Sequence, residues 1–310
     1  MAANTHGMSL ETLAGDPSRR RRENLIRRAF LGAALLSVII SVAIVLSLVG
    51  RAVGFVVEVD LSALFASGWF PRRGFYDLRT VVTGTFVIAG IAMLVATPLG
   101  LGTAAYLSEY AKPRTRRTLK PTIEILAGIP SVVIGFFALT FISPEIVQRF
   151  FPSASIFNMA AAGIGVGILT IPLVATIAED AMRSVPPALK EASYGLGARK
   201  RVTTTRVVFP AAVSGIVASL IVGFSRAIGE TMVVAIAAGA SGGSSFTVDP
   251  LEPGQTMTAA MTSLAIGSDR VKGAAETFES LFFLGLLLFL MTLVLNVLSE
   301  RFVRRVRQRY

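Results

Sequence analysis

Arg226 and Glu230 are the two charges in an otherwise apolar run from Val207 to Ala240. Spaced by four, they share one face if the run is helical. An ionised group is costly in hydrocarbon, so such residues turn toward a bundle interior or a water-filled path. Two chemistries fit the pair. It can lock onto itself and hold its helix in place. Alternatively, Arg226 faces a passage and meets an anion while Glu230 tunes its field. A guanidinium suits the second task because it stays charged and its planar donor fork matches an oxyanion. A passage must also release what it binds, so a weak site is required. An arginine partly neutralised by a glutamate is consistent with that.

Other chemistries are excluded by residue type. The chain has no cysteine and one histidine, His6. A thiolate or multi-histidine metal site, a cysteine nucleophile and a Ser-His-Asp triad therefore cannot be built. No Gly-x-x-x-x-Gly-Lys-Ser/Thr motif is present to cradle nucleotide phosphates. Gly163, Gly165 and Gly167 lie inside an apolar stretch and make no dinucleotide site. No catalytic residue, metal or cofactor is expected.

A second candidate is the segment 186–197. Pro186 and Pro187 open it and Gly195 and Gly197 close it, which is helix punctuation. Ala188, Leu189, Ala192 and Leu196 form an apolar stripe between them. Such a helix lies on lipid headgroups or docks a soluble partner.

The elements that position these residues follow from composition. The chain has 310 residues, 53% hydrophobic and 16% charged, with a mean hydropathy of +0.67. Soluble domains carry about a quarter charged residues. A helix crosses a bilayer core with about 20 apolar residues. Six stretches meet that need: 29–50, 81–107, 125–143, 158–178, 207–240 and 281–299. The first is too long for the apolar core of a signal peptide. The expected fold is an all-α membrane protein of six transmembrane helices. A basic tail, 1–28, precedes a six-span domain, 29–310, with a long loop at 179–206.

The fifth run, at 34 residues, would be about 51 Å as one helix. It must tilt, project or break, with Gly223, Gly229 and Gly239 as candidate breaks. Pro98, Pro130, Pro172 and Pro210 are candidate kinks. Gly163 and Gly167 permit close helix approach. Glu124, near the start of the third stretch, can snorkel to the interface or meet a cation. Phe65, Trp69 and Phe70 suit an interfacial aromatic belt. Met257, Ala260, Met261 and Leu264 predict a short interfacial helix in the acidic loop 241–280.

The net charge is +11. With six spans and both ends on one side, 22 of the 30 Lys and Arg fall on that side and 7 on the other. The positive-inside rule makes that side cytoplasmic. The basicity is then a topology signal, and no nucleic-acid partner is expected.

The motifs resemble a known family. Glu191-Ala192-Ser193-Tyr194-Gly195-Leu196-Gly197, nine residues, then Val207-Val208-Phe209-Pro210 resembles the loop E-A-A-x-x-x-G-x9-I-x-L-P of ABC importer permeases. Ser193 replaces its third residue, and Val207 and Phe209 are apolar variants. Glu179-Asp180-Ala181 and Pro186 are also similar. Glu124 to Val133, Arg226 to Met232 and Thr256-Met257-Thr258-Ala259-Ala260 look like the phosphate-specific permeases, PstC-type ahead of the sister PstA-type. Together these cover most of 80–299; residues 1–28 show no such likeness.

The resemblance implies a type I ABC importer permease of MetI-like architecture in the bacterial cytoplasmic membrane, carrying inorganic phosphate. It implies that Arg226 and Glu230 line the substrate pathway. It also implies that the 186–197 helix, with Glu191, Ala192, Gly197 and Pro210, couples to nucleotide-binding ATPase subunits that hydrolyse ATP. The other implied partners are a sister permease subunit and an extracytoplasmic phosphate-binding protein, met through the 51–79 and 241–280 loops. A permease for sulfate or molybdate and a non-transporting membrane scaffold are the alternatives.

Overall fold

The structure, a computed structural model, describes residues 17–65, 68–239, 243–266 and 275–306. His6, Arg270 and Lys272 lie outside the described residues. The chain divides into two compact units, residues 1–50 and 51–310. All the described residues of the first lie in helix α1, Pro17–Glu58. Its start uses a proline, whose missing N–H is no loss in a first turn. From Leu35 to Leu46 its large apolar side chains are exposed on all sides, as expected for a helix solvated by lipid. Residues 17–28, expected as part of a separate tail, continue this same helix.

The second unit takes in α1 from Arg51 onward, and among the described residues its regular structure is helical apart from a two-stranded hairpin, Trp69–Phe70 paired with Phe75–Tyr76. Its helices are α2 (Leu78–Tyr110, ending in a π turn), α3 (Pro113–Leu126), α4 (Ser131–Phe150, largely π-wound), α5 (Met159–Arg183) and α6 (Pro187–Gly195). Then come α7 (Lys200–Ala211), α8 (Val213–Ile228), α9 (Met232–Ala237), α10 (Met257–Ile266) and α11 (Ala275–Val306). Among the described residues, five helices are long and apolar enough to span a membrane, or six if the bent pair α7–α8 is one span.

Small residues bring the central helices together. A Cβ on Gly163 or Gly167 of α5 would meet Ile91 or Val95 of α2 at 2.7–2.8 Å. One on Gly223 of α8 would meet Val174 of α5 at 2.8 Å. Close backbone approach replaces side-chain interdigitation along these seams, as in membrane helix packing. Two buried polar residues start the long helices. Asp77 accepts from the Arg79 N–H at 3.1 Å and opens α2. Asn158 accepts from the Ala161 N–H at 2.7 Å and opens α5, while its amide donates to Ser143 Oγ and the Ser155 carbonyl. Each satisfies helix N–H groups that would otherwise be orphaned in the core.

Several expectations are corrected. The third stretch does not run as one helix from 125. Ile125 and Leu126 finish α3, and the chain breaks over Ala127 to Pro130 before α4 begins at Ser131. Proline lacks an N–H and disfavours helix in the residue before it. Pro98 and Pro172 stay within continuous helices. The fifth run breaks twice. A 72° bend separates α7 from α8 at Ala212, two residues after Pro210. A second interruption covers Gly229 to Thr231. Gly223 is helical, and Gly239, at φ +74°, follows the end of α9, the left-handed position that terminates helices.

Trp69 does not sit in a belt. It is buried against Tyr76, in a cluster with Phe55, Val81, Met257 and Leu284. The first turn of α10 is likewise buried at Met257, Thr258, Ala259 and Ala260, so this helix starts inside the protein rather than on its apolar stripe alone.

Candidate functional site

α8 carries Arg226 on its last turn, and the helix stops two residues later. Beyond Ile228 the chain passes through Gly229 and Glu230 before restarting as α9 at Met232. Arg226 Nη2 lies 3.7 Å from Glu230 Oε2. That is an ion-pair distance but longer than an N–H···O hydrogen bond, about 2.7–3.2 Å. The two partners differ in exposure: the Arg226 side chain is 52% exposed and that of Glu230 6%. The carboxylate is therefore held inside while the side chain of Arg226 stays about half in the open. The sequence allowed either a closed lock or an open cation; the geometry is a loose pair with an open cation.

Glu230 is fixed through its backbone. Its N–H reaches the Ala227 carbonyl at 3.3 Å, and its own carbonyl accepts the Thr258 hydroxyl at 2.7 Å. Nearby, Ser225 Oγ donates to Asn296 Oδ1 of α11 at 3.2 Å. Sequence reasoning placed Thr256 and Thr258 in a familiar motif without a task; the contact with Glu230 joins residues 28 apart and has no signal in local spacing.

The second candidate lies at the ends of α2 and α5. α6 is held there by its polar inner side. Lys190 Nζ sits 2.6 Å from Glu109 Oε1, an acid that also accepts Ser108 Oγ. Ser193 Oγ and Thr203 Oγ1 are 2.9 Å apart, and Leu189 packs on the cluster around Met182 and Ile216. The predicted apolar stripe is thus split. Leu189 turns inward, while Ala188, Ala192 and Leu196 are exposed, Leu196 at 90%. Glu191 is exposed beside them. Gly197 has φ +77°, a conformation that lets the chain turn away without Cβ strain. Pro210 is exposed just before the 72° bend and lies apart from α6 in sequence and element. Helix α6 can offer an acid and an uncovered apolar ridge to another surface.

Sequence reasoning missed one neighbouring cluster. Glu179, on the last turns of α5, is fully buried and receives Arg116 at 2.7 and 2.9 Å and Lys120 at 2.7 Å, both from α3. Lys120 also reaches Asp180 at 2.8 Å. Burial pulls the Lys120 ammonium down, but hydrogen bonds and charge from Asp180 and Glu179 outweigh it and hold its pKa above the ordinary 10.5. In the sequence Arg116 and Lys120 counted only toward the basic total, while Glu179 and Asp180, some 60 positions away, stood only in a family likeness. Glu124 is exposed near the end of α3 and takes no part. Among the described residues no group of acids and histidines could hold a metal.

This largely helical arrangement matches known proteins. The family described as "Binding-protein-dependent transport system inner membrane component" matches residues 96–309. The chain belongs to this family. As one of its inner membrane components it is a multi-pass transport subunit, not an enzyme, with the MetI-like ABC permease fold. It is 30% identical over 306 residues to the phosphate transport system permease protein PstC of Haemophilus influenzae, covering 92% of this chain and 94% of that protein. It is also 30% identical over 312 residues to the probable ABC transporter permease protein YqgH of Bacillus subtilis, covering 97% and 99%. Among solved structures, a bacterial ABC transporter involved in alginate import aligns with a TM-score of 0.64 at 16% identity, over 93% of this chain and all of that one. The MetNI methionine transporter, inward facing, aligns at 0.53 with 18% identity, over 74% and 94%. These likenesses show the fold of this inner membrane component.

Proposed function

We propose that this chain is the membrane-spanning subunit of an ATP-driven importer and forms the passage for inorganic phosphate. One observation carries the reading: an open guanidinium, Arg226, stands loosely beside a buried carboxylate at a helix break. The relatives named as phosphate permeases support the choice of anion. Phosphate oxygens match the donor fork of Arg226, and the neighbouring Glu230 charge keeps the hold weak enough for release. The break beside the pair supports a place on a passage, because irregular backbone within a membrane is tolerated where it lines a cavity or packs in protein.

The driving subunit docks on α6. Glu191, Ala192 and Leu196 are the exposed contacts, and the bond of Lys190 to Glu109 carries a push on α6 into α2. Gly197 and Pro210 shape the chain around this element. The basic side of the protein, which carries α3 and α6, is cytoplasmic, and so are both termini. A sister permease completes the passage, and an extracytoplasmic binding protein delivers phosphate to the opposite face.

The test uses the whole complex in proteoliposomes with ATP inside and phosphate-loaded binding protein outside. Arg226→Gln is expected to lower phosphate uptake to the ATP-free background while the complex still co-elutes on gel filtration. Uptake at the wild-type rate would remove Arg226 from the passage. Glu191→Lys is expected to reduce the ATPase subunit retained on affinity purification of this chain; full retention would sink the docking role of α6.

A further inference from the structure

Glu230 sits where helix geometry has lapsed, so its carbonyl has lost its usual donor four residues ahead. Among the described residues no backbone N–H reaches that carbonyl. The Thr258 hydroxyl does, at 2.7 Å, from the buried first turn of α10. Thr258 has one proton, and it is spent on Glu230. The 2.9 Å contact between Thr256 Oγ1 and Thr258 Oγ1 must therefore have Thr256 as donor. Thr256 in turn accepts the Ala259 N–H at 3.2 Å, as a cap does at a helix start. The result is a directed chain from a helix N–H, through two buried hydroxyls, to the Glu230 carbonyl. Each link polarises the next.

The chain is anchored at its other side. The Met257 N–H donates to Thr85 Oγ1 at 3.1 Å, and Thr85 donates to the Val81 carbonyl at 2.7 Å. The absence of a side chain at Gly84 lets the Gln255 carbonyl lie directly on α2. Segment 255–258 is thus clamped to α2 while it grips the peptide between Glu230 and Thr231. The orientation of that peptide sets where the Glu230 side chain leaves the backbone, and so its distance from Arg226.

We propose that Thr258, supported by Thr256, is a positioning residue for the Arg226–Glu230 pair. It fixes the break so that the carboxylate tempers the guanidinium without closing on it. This rests on the reading of the pair as the phosphate site. Thr258 touches no substrate; it acts on transport through Glu230.

The test is uptake of inorganic phosphate by the reconstituted complex. Thr258→Val keeps the shape and removes the proton. It is expected to lower maximal uptake about tenfold, the scale of one lost buried hydrogen bond. The half-saturating concentration of phosphate-loaded binding protein and the yield of assembled complex should not change. Thr258→Ser, which restores the hydroxyl, should recover most of the rate. In a Glu230→Gln background, Thr258→Val should cause little further loss, because the group it positions is already neutral. A wild-type rate for Thr258→Val overturns the proposal, as does an equal fold-loss in both backgrounds or a shift confined to half-saturation. If Thr258→Val does not assemble, Thr256→Val is read instead, with about a threefold loss expected from the unsupported bond; a wild-type rate again overturns the proposal. Wild-type uptake by both Arg226→Gln and Glu230→Gln is a different result, which overturns the phosphate-site reading and this proposal together.

Discussion

Glu179 and Glu230 are both buried acids on or beside apolar helices, and they are held in opposite ways. Glu179 accepts two bonds from Arg116 and one from Lys120, all within 2.9 Å. Its charge is fully answered, and its cations are only about a quarter exposed. Among the described residues Glu230 has one ion-pair neighbour, at 3.7 Å, and that neighbour is half in the open. A tight, satisfied cluster joins two elements, here α3 to α5. A loose pair with a free donor fork leaves electrostatic capacity for a third party. Burial of an acid is therefore no guide to its task; the distance and exposure of its cation are.

The comparison can be broken by removing each acid in turn. Glu179→Ala leaves the partly buried Arg116 without its carboxylate and Lys120 with only the exposed Asp180. It should destabilise the subunit by about 3 kcal/mol, the lower end of the cost of breaking a buried pair, measured by denaturant unfolding in detergent. Stability equal to wild type would mean that α3 is not clamped. Glu230→Gln should cost under about 1 kcal/mol, because an ion pair with a solvent-exposed member is weak. Its effect should fall on transport, and a large loss of stability would make it a second clamp.

The smallest effect concerns pH. The raised Lys120 pKa means that the folded state favours the protonated ammonium. Its contribution is complete below the ordinary value of 10.5 and fades as pH climbs through the raised folded value. The melting temperature should therefore fall slightly more in wild type than in Lys120→Arg above that pH, since arginine stays charged there. Parallel curves for the two would show that the ammonium contributes nothing measurable.

The pattern of legibility follows interaction range. Apolar runs, the Gly163/Gly167 seam and the α6 helix with its proline and glycine boundaries are local, and they appear in the structure close to where spacing puts them. Helix ends inside apolar runs were harder. Hydropathy does not distinguish Ile125 at the end of α3 from Val132 at the start of α4, because both are equally apolar; the Gly128-Ile129-Pro130 break separates them. Trp69 was misplaced for a related reason. An aromatic near a span end looks interfacial until Phe55, Tyr76 and Met257 are seen to surround it.

The site divides along the same line. Arg226 and Glu230 stood out because a charge in an apolar run is conspicuous and a spacing of four is a local rule. Glu109 with Lys190, Glu179 with Arg116, and Thr258 with Glu230 did not, since each joins residues distant in sequence.

The sequence by itself determined that the protein is helical and membrane-embedded, that its charges concentrate between the apolar runs, and that one arginine and one glutamate interrupt an apolar run four residues apart. Composition, period and charge counts are enough for that, because each depends on residue type and near neighbours. Only the tertiary structure decided which charges are spent and which remain open. That depends on whether a distant helix supplies a partner within hydrogen-bond reach, and chain packing alone places Lys120 against Glu179 and Thr258 against Glu230.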